Sequence, residues 1–236
     1  VLFLFPYAAL LFCSHFFFSS VLCVLLSIFF PYYYKQEESV LARKKAYEEK
    51  IVKLILLKEG TYDLEKTLII KCPISIHGAG QDKTLIEGCG IEIKGPKEEK
   101  KRVNMQGMTM KGSSGRGLYA NNGLSFLCKD MTFTQCGGSG VRAHNTKGRL
   151  INCVITQCGE SGIFCDENAL IELEGDQTKV DGNVTSGNSY YYGLDPYDTS
   201  SRIHLLFPLT KESVSTNNHG GRHYGGFNGG TFQTVD

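Results

Sequence analysis

The chain has no charge excess: 25 Lys and Arg stand against 24 Asp and Glu in 236 residues. That balance lacks the basic footprint on which phosphate-backbone binding depends, so no nucleic-acid partner is expected. Proline is scarce, six against 27 glycines, which points to tight turns rather than a disordered linker. None of the nine cysteines falls into the paired CxxC spacing of a zinc site, and no metal or cofactor is expected. Cys13 and Cys23 lie in an apolar leader. The remaining seven are an odd number, which fits a disulfide framework poorly and fits buried free thiols well. The chain begins at Val1 and its first methionine is Met105, which reads as a fragment or a conceptual translation without its true start.

What is present is a phrase said twice. Thr134-Gln135-Cys136-Gly137 returns as Thr156-Gln157-Cys158-Gly159, and each copy leads into Ser-Gly plus an apolar residue. From Val141 to Ile163 is 22 residues, and from Leu118 to Val141 is 23. A period in the low twenties, filled with β-branched and apolar residues and punctuated by Gly, Asn and Cys, marks stacked supersecondary units.

Before the repeat lie two segments of different character. Residues 1–34 form the leader, whose uncharged run Ala8 to Phe30 is 23 residues, enough to cross a bilayer. Three readings of it stay open: a membrane anchor with Tyr32, Tyr33 and Tyr34 at the interface, a signal peptide, or thymine-rich non-coding sequence read through. The domain is membrane-associated or secreted on the first two and cytoplasmic on the third, so localisation is undetermined. Residues 35–50 are helical in composition, with Val40, Leu41, Tyr47 and Ile51 roughly on one side. They would cap the open end of a stacked β-structure.

From Ile51 the period changes to that of strands. Ile51 to Leu57 is stopped by Glu59-Gly60-Thr61-Tyr62. Leu68 to Ile70, Ile74 to Ile76, Thr84 to Ile86 and Ile91 to Ile93 follow, with a charged loop over Lys94 to Arg102. No helical pattern joins these strands, which excludes a βαβ sheet. Further on, Leu170 to Leu173 alternates, Gly175 to Asn183 reads as turns, and Tyr190-Tyr191-Tyr192 is an exposed aromatic cluster. Asn183-Val184-Thr185 matches a glycosylation sequon. Ile203 to Leu209 resumes the strands, Asn217 to Gly230 is a Gly-rich loop, and Thr231 to Val235 is a last strand.

Gly60-Thr61-Tyr62, Ile74 to Gly80 (ISIHGAG), Thr84 to Gly88 (TLIEG) and the Gly-apolar coil ends resemble right-handed parallel β-helix proteins of the pectin-lyase-like superfamily. The short irregular repeats are similar to β-helix regions of F-box proteins and of algal and microbial surface proteins. The resemblance covers about Ile51 to Asp236 and implies an all-β fold: a right-handed parallel β-helix of about seven short coils over 51–236, behind an N-terminal capping helix.

Register then yields one candidate surface. With Leu118, Val141 and Ile163 stacked and pointing inward, alternation sends Tyr119, Arg142 and Phe164 outward in one file. Asn121, His144 and Asp166 form a second file beside it, and Asp195 and Tyr197 would extend the surface if Leu194 continues the inward file. Flat apolar faces beside hydrogen-bonding edges suit a polysaccharide, or a protein ligand, on a non-catalytic domain. A strand face of ordinary solvated polar residues has the same pattern. Cys136 stacks on Cys158 with Ser113 in the same file, and Gln135 bonds Gln157 as a ladder.

Enzymes in the resembled superfamily imply a polysaccharide lyase or glycoside hydrolase acting on acidic polysaccharide as an alternative, and a structural spacer is the third. If the chain is an enzyme, Arg142, His144 and Asp166 carry the chemistry, with the carboxylate orienting the imidazole. The catalytic motifs of such enzymes are only fragmentary here. His77-Gly78, His219-Gly220 and Arg202-Ile203-His204 are present, but no Asp-Asp pair is. A calcium site would need several carboxylates, and Asp130 sits at a different coil position from Asp166.

Overall fold

The computed structural model describes residues 2–4, 54–97 and 101–236. The leader over 1–34, apart from Leu2–Leu4, and the capping helix over 35–50 lie outside the described residues. Among the described residues no helix is long and apolar enough to cross a membrane.

Parallel strands wind round three faces. The first face carries β2 (Leu54–Leu57), β5 (Ser75–His77), β8 (Arg102–Lys111), β10 (Ser125–Thr134), β12 (Lys147–Ile151), β15 (Leu170–Glu174), β18 (Arg202–Leu206) and β20 (Thr231–Val235). Leu2–Leu4 (β1) pairs in parallel with β2 at its start. The second face carries β3 (Gly60–Leu64), β6 (Thr84–Gly88), the latter halves of β8 and β10, β13 (Val154–Thr156), β16 (Lys179–Asp181) and β19 (Ser215–Thr216). The third face is a separate sheet of β4 (Leu68–Ile70), β7 (Ile91–Ile93), β9 (Leu118–Asn121), β11 (Val141–His144), β14 (Ile163–Asp166) and β17 (Leu194–Pro196).

Corners between the faces are made by residues in the left-handed region, and these too stack. Gly107, Asp130, Asn152 and Gly175 turn the chain from the first face to the second, at φ 65, 48, 50 and 84. Gly88, Gly112, Gln135, Gln157, Gly182 and Asn217 leave the second face, and Asn122, Asn145 and Glu167 leave the third. Gly, Asn and Asp visit this region at least cost, which is why they punctuate the repeat. Gln135 and Gln157 are less suited to it. Their ladder is present, Gln135 Nε2 donating to Gln157 Oε1 at 3.3 Å, and Asn145 Nδ2 donates likewise to Asn122 Oδ1 at 2.8 Å.

Glycine before the third face has a different cause. A Cβ on Gly117, Gly140 or Gly162 would stand 2.7 to 3.0 Å from the carbonyl of the glycine one coil on. Coils stacked at about 4.8 Å leave no room there for a side chain. Inside, Val141 stacks on Leu118 and under Ile163, and all three are fully buried with Phe126, Phe133, Met105, Met108, Met110 and Met131. Each such side chain contributes on the order of 1.5–3 kcal/mol by leaving water.

Two local expectations change. Gly60-Thr61-Tyr62 does not stop a strand; it begins β3, which pairs with β6. Gly175 to Asn183 is not all turn, because Lys179–Asp181 pairs with Val154–Thr156 and buries Val180. Both strands are short and Gly-flanked, and only the neighbouring coils make them strands. A one-turn helix, Lys211–Val214, capped by Thr210, also interrupts the last coils.

No disulfide joins the seven described cysteines, and all but Cys89 are buried. Burial pushes the Cys153 thiol up to about 12, and hydrogen bonding to Cys136 together with burial raises Cys158. The file of Ser113, Cys136 and Cys158 is then continued by Asn183 and Asn218, both buried. Asn183 is therefore a core residue and not a surface sequon. Its Oδ1 accepts from Cys158 N at 3.1 Å, and its Nδ2 donates to Ile155 O at 3.0 Å and Asn218 Oδ1 at 3.2 Å.

Candidate functional site

The two outward files lie on the third face in the expected register. Tyr119, Arg142 and Phe164 are paired neighbours on successive strands, as are Asn121, His144 and Asp166. β9 and β11 alternate buried and half-buried residues, as a sheet with one solvated side must. In β14 and β17 the alternation disappears and every residue is buried. Something covers their outer side.

The cover is two loops that leave the coil path. Residues 185–193 and 217–230 meet through Arg222, which donates to Ser189 O and sits over the Tyr192 ring at 5.6 Å. Tyr190 meets Phe227 edge-on at 5.5 Å. Beneath them Asp195 is wholly buried, its Oδ2 accepting from Ser161 Oγ at 2.8 Å and its Oδ1 without a partner. Asp195 is thus no part of the open surface. Burial pushes its carboxyl up to about 7, although the Ser161 hydroxyl and the Tyr192 backbone pull the other way.

Between loops and face lies a cleft of about 540 Å³. One wall is a run of rings: Phe164 and Tyr197 at 5.5 Å, Tyr197 stacked on Phe227 at 6.1 Å and 4°, then Tyr190. Tyr190 is 61% exposed and Phe227 50%, so the run ends in open aromatic faces. The other wall is polar. Arg142 Nη2 donates to Asp166 Oδ2 at 2.6 Å while its guanidinium lies 4.8 Å over Phe164 and 5.6 Å over Tyr119. Glu160 accepts from Tyr191 Oη at 3.1 Å and from Ser139 Oγ at 3.3 Å. Burial first, and then the Glu160 carboxylate, push the Tyr191 phenol above its ordinary value.

His144 stands behind this wall and does not line the cleft. Its Nδ1 is 3.2 Å from Asp166 Oδ2 without hydrogen-bond geometry, so the two groups are close but make no directed bond. Its Nε2 lies 3.4 Å from the exposed carboxylate of Glu167. Asn121 bonds Asn122 at the corner and lies off the cleft as well. The structure therefore brings Arg142, Phe164 and Asp166 together in the cleft, puts Tyr119 one rung away, and leaves Asn121 and His144 to the side.

Three faces of parallel strands, stacked corners and a repeat of 22 to 23 residues decide the fold, and residues 60–207, more than half of the chain, match the family described as the right handed beta helix region. The chain belongs to the right-handed β-helix family. No curated protein and no solved structure matches it significantly. Within this β-helix the cleft residues that the repeat did not reveal are Arg116, Ser139, Glu160, Asn188, Tyr191 and Phe227. Arg116 and Glu160 sit in corner loops that carry no period-2 signal. Phe227 arrives from a Gly-rich loop 33 residues beyond Leu194, and no periodicity could place it. The exposed Tyr190 cluster was the one local sign of the wall. Among the described residues no group of three or more His, Cys, Asp or Glu is arranged to hold a metal ion. Asp130 lies on the first-to-second-face corner, remote in register from Asp166.

Proposed function

We propose that this β-helix is a non-catalytic binding domain that holds carbohydrate on its outer third face, in the cleft between β14 and the two covering loops. The observation that carries the reading is the run Phe164, Tyr197, Phe227 and Tyr190, ending in half-exposed rings opposite Arg142, Asp166 and Glu160. Aromatic faces take the apolar face of a sugar ring, while fixed charged groups take its hydroxyls. The cleft volume of about 540 Å³ is in the range of small-ligand sites. Exposed rings of this kind cost solvation free energy when no ligand covers them.

A glycan array followed by calorimetry tests the reading. Binding that falls at least tenfold in Phe227→Ala and Tyr190→Ala, with unchanged thermal unfolding, supports it. Absence of any glycan bound by the intact domain overturns it. The lyase or hydrolase alternative would act through Arg142, His144 and Asp166. Asp166 is held by Arg142 at 2.6 Å and His144 lies outside the cleft, so neither is poised as a free base. Turnover of polygalacturonate or alginate that is abolished by Asp166→Ala would restore that alternative.

A further inference from the structure

We propose that residues 187–192 form a lid over the third face and that Asp195 is its latch: the lid stays shut while Asp195 is protonated and lifts when that carboxyl ionises. The device does not depend on what occupies the cleft. The lid is thinly attached. Residues 185–190 are exposed, and Gly187 enters the left-handed region at φ 71 where the segment leaves the coils. Its other end is fixed. The Gly193 N–H donates to Arg222 O at 2.8 Å, and a Cβ there would stand 2.3 Å from Asn218 Nδ2. Between these ends Tyr191 Oη donates to Glu160 at 3.1 Å, and the Tyr192 N–H donates to Ser161 Oγ at 3.4 Å. Ser161 in turn donates to Asp195 Oδ2 at 2.8 Å, so Asp195 stands directly behind the last tie of the lid.

Asp195 is wholly buried and its Oδ1 has no hydrogen-bond partner. A neutral carboxyl tolerates such a site, whereas a carboxylate leaves a charged oxygen bare in dry surroundings. The charges around it offer no relief. Arg142 and Asp166 stand on the β11 and β14 side, Glu160 and Tyr191 at the corner before β14 and on the lid. His219, Arg222 and His223 belong to the second loop, and Asp198 lies three residues along the chain. Arg142 is committed to Asp166 at 2.6 Å and Arg222 to Ser189 O, and among the described residues no ion pair reaches Asp195. Water alone can therefore solvate the ionised carboxyl, and water reaches it when the lid lifts. Burial accordingly holds the carboxyl at about 7 under the closed lid, against 3.8 when solvated. The closed state binds the proton more tightly, so closure is favoured in full below 3.8 and is lost as pH rises through about 7. Each pH unit in that window favours opening by up to about tenfold, on the order of a thousandfold in all.

Hydrogen exchange followed by mass spectrometry on the full chain reads the lid through its hydrogen-bonded Tyr191, Tyr192 and Gly193 amides. After correction for the intrinsic pH dependence of exchange, peptides over 185–193 should lose protection by at least about tenfold between about pH 5 and about pH 8. Peptides over β8 and β10 should hold theirs. Asp195→Asn should keep the lid protected and make its protection independent of pH. Ser161→Ala gives a second reading that stands even if the Asp195→Asn chain does not fold. The Ser161 hydroxyl favours the ionised carboxyl, so its loss should move the midpoint of the change to higher pH. Constant lid protection across this range in the wild type overturns the proposal, as does a midpoint unmoved in Ser161→Ala. A pH dependence that survives in Asp195→Asn also overturns it, by assigning the titration to His219 or His223. Parallel loss over β8 and β10 does the same, since the whole domain would then be opening.

Discussion

Replacing Asn183 by alanine should cost about 3–5 kcal/mol of stability, although the residue looks from the sequence like a surface glycosylation acceptor. Four contacts are lost, one accepted by Oδ1 and three, to Ile155 O, Asp181 O and Asn218 Oδ1, sharing the two amide hydrogens. The Cys158 backbone N–H loses its acceptor in a buried environment, which alone costs about 1–3 kcal/mol because no water can replace it. The bonds to Ile155 O and Asn218 Oδ1 add about 1 kcal/mol each. For a domain of this size the sum corresponds to a fall in Tm on the order of 10 °C. Urea unfolding followed by far-UV circular dichroism gives the difference directly, from a midpoint that moves at constant slope. Expression in a glycosylating host supplies a second readout, since a buried amide nitrogen with three acceptors has no free valence for a glycan. A loss below about 1 kcal/mol, or a glycan on Asn183 of natively folded protein, would refute the assignment of this side chain to the core file.

Three further outcomes follow from the same physics. Asp195 has its folded-state pKa raised from 3.8 to about 7. The folded chain therefore holds that proton more tightly, and the associated stability is full below the unfolded value and lost as pH rises towards 7. The ceiling is about 4 kcal/mol. Chemical unfolding at a series of pH values should show the slope in the wild type and not in Asp195→Asn; identical slopes would sink the idea. Gly140→Ala should cost about 3 kcal/mol or more, because its Cβ would lie 2.4 Å from Ile155 Cγ2 and 3.0 Å from Gly162 O. An unfolding midpoint within error of wild type would show that the coils can separate there. Of the seven thiols in the described residues only Cys89 is partly exposed, so it alone should react rapidly with iodoacetamide in native buffer. Peptide mass mapping that finds Cys136 or Cys158 labelled at the same rate would contradict the buried stack.

The repeat determined most of the β-helix, because its information is local and periodic. Thr134-Gln135-Cys136-Gly137 and its echo set the coil length, and period-2 alternation then sent Arg142 and Phe164 outward and Val141 inward with no knowledge of distant contacts. Gly and Asn at the corners mark backbone that other residues enter at a cost, so they too are readable one residue at a time. Cys136 and Cys158 read as stacked core thiols for the same reason: they recur one period apart. What only the tertiary structure decided is where the irregular loops land. Residues 185–193 and 217–230 carry no readable repeat, and non-local contacts fold them over β14 and β17: side-chain packing together with backbone bonds such as Thr185 N to Cys158 O, Gly193 N to Arg222 O and Asn228 N to Tyr197 O. That packing turned Asp195 from an outward residue into a buried acid and carried Phe227 to Tyr197. It also moved the candidate site from two open files to a cleft in which Arg142, Phe164 and Asp166 remain but His144 and Asn121 do not. Asn183 shows the same division: its three-residue sequon is visible in the sequence, but only its place above Cys158 makes it a core residue.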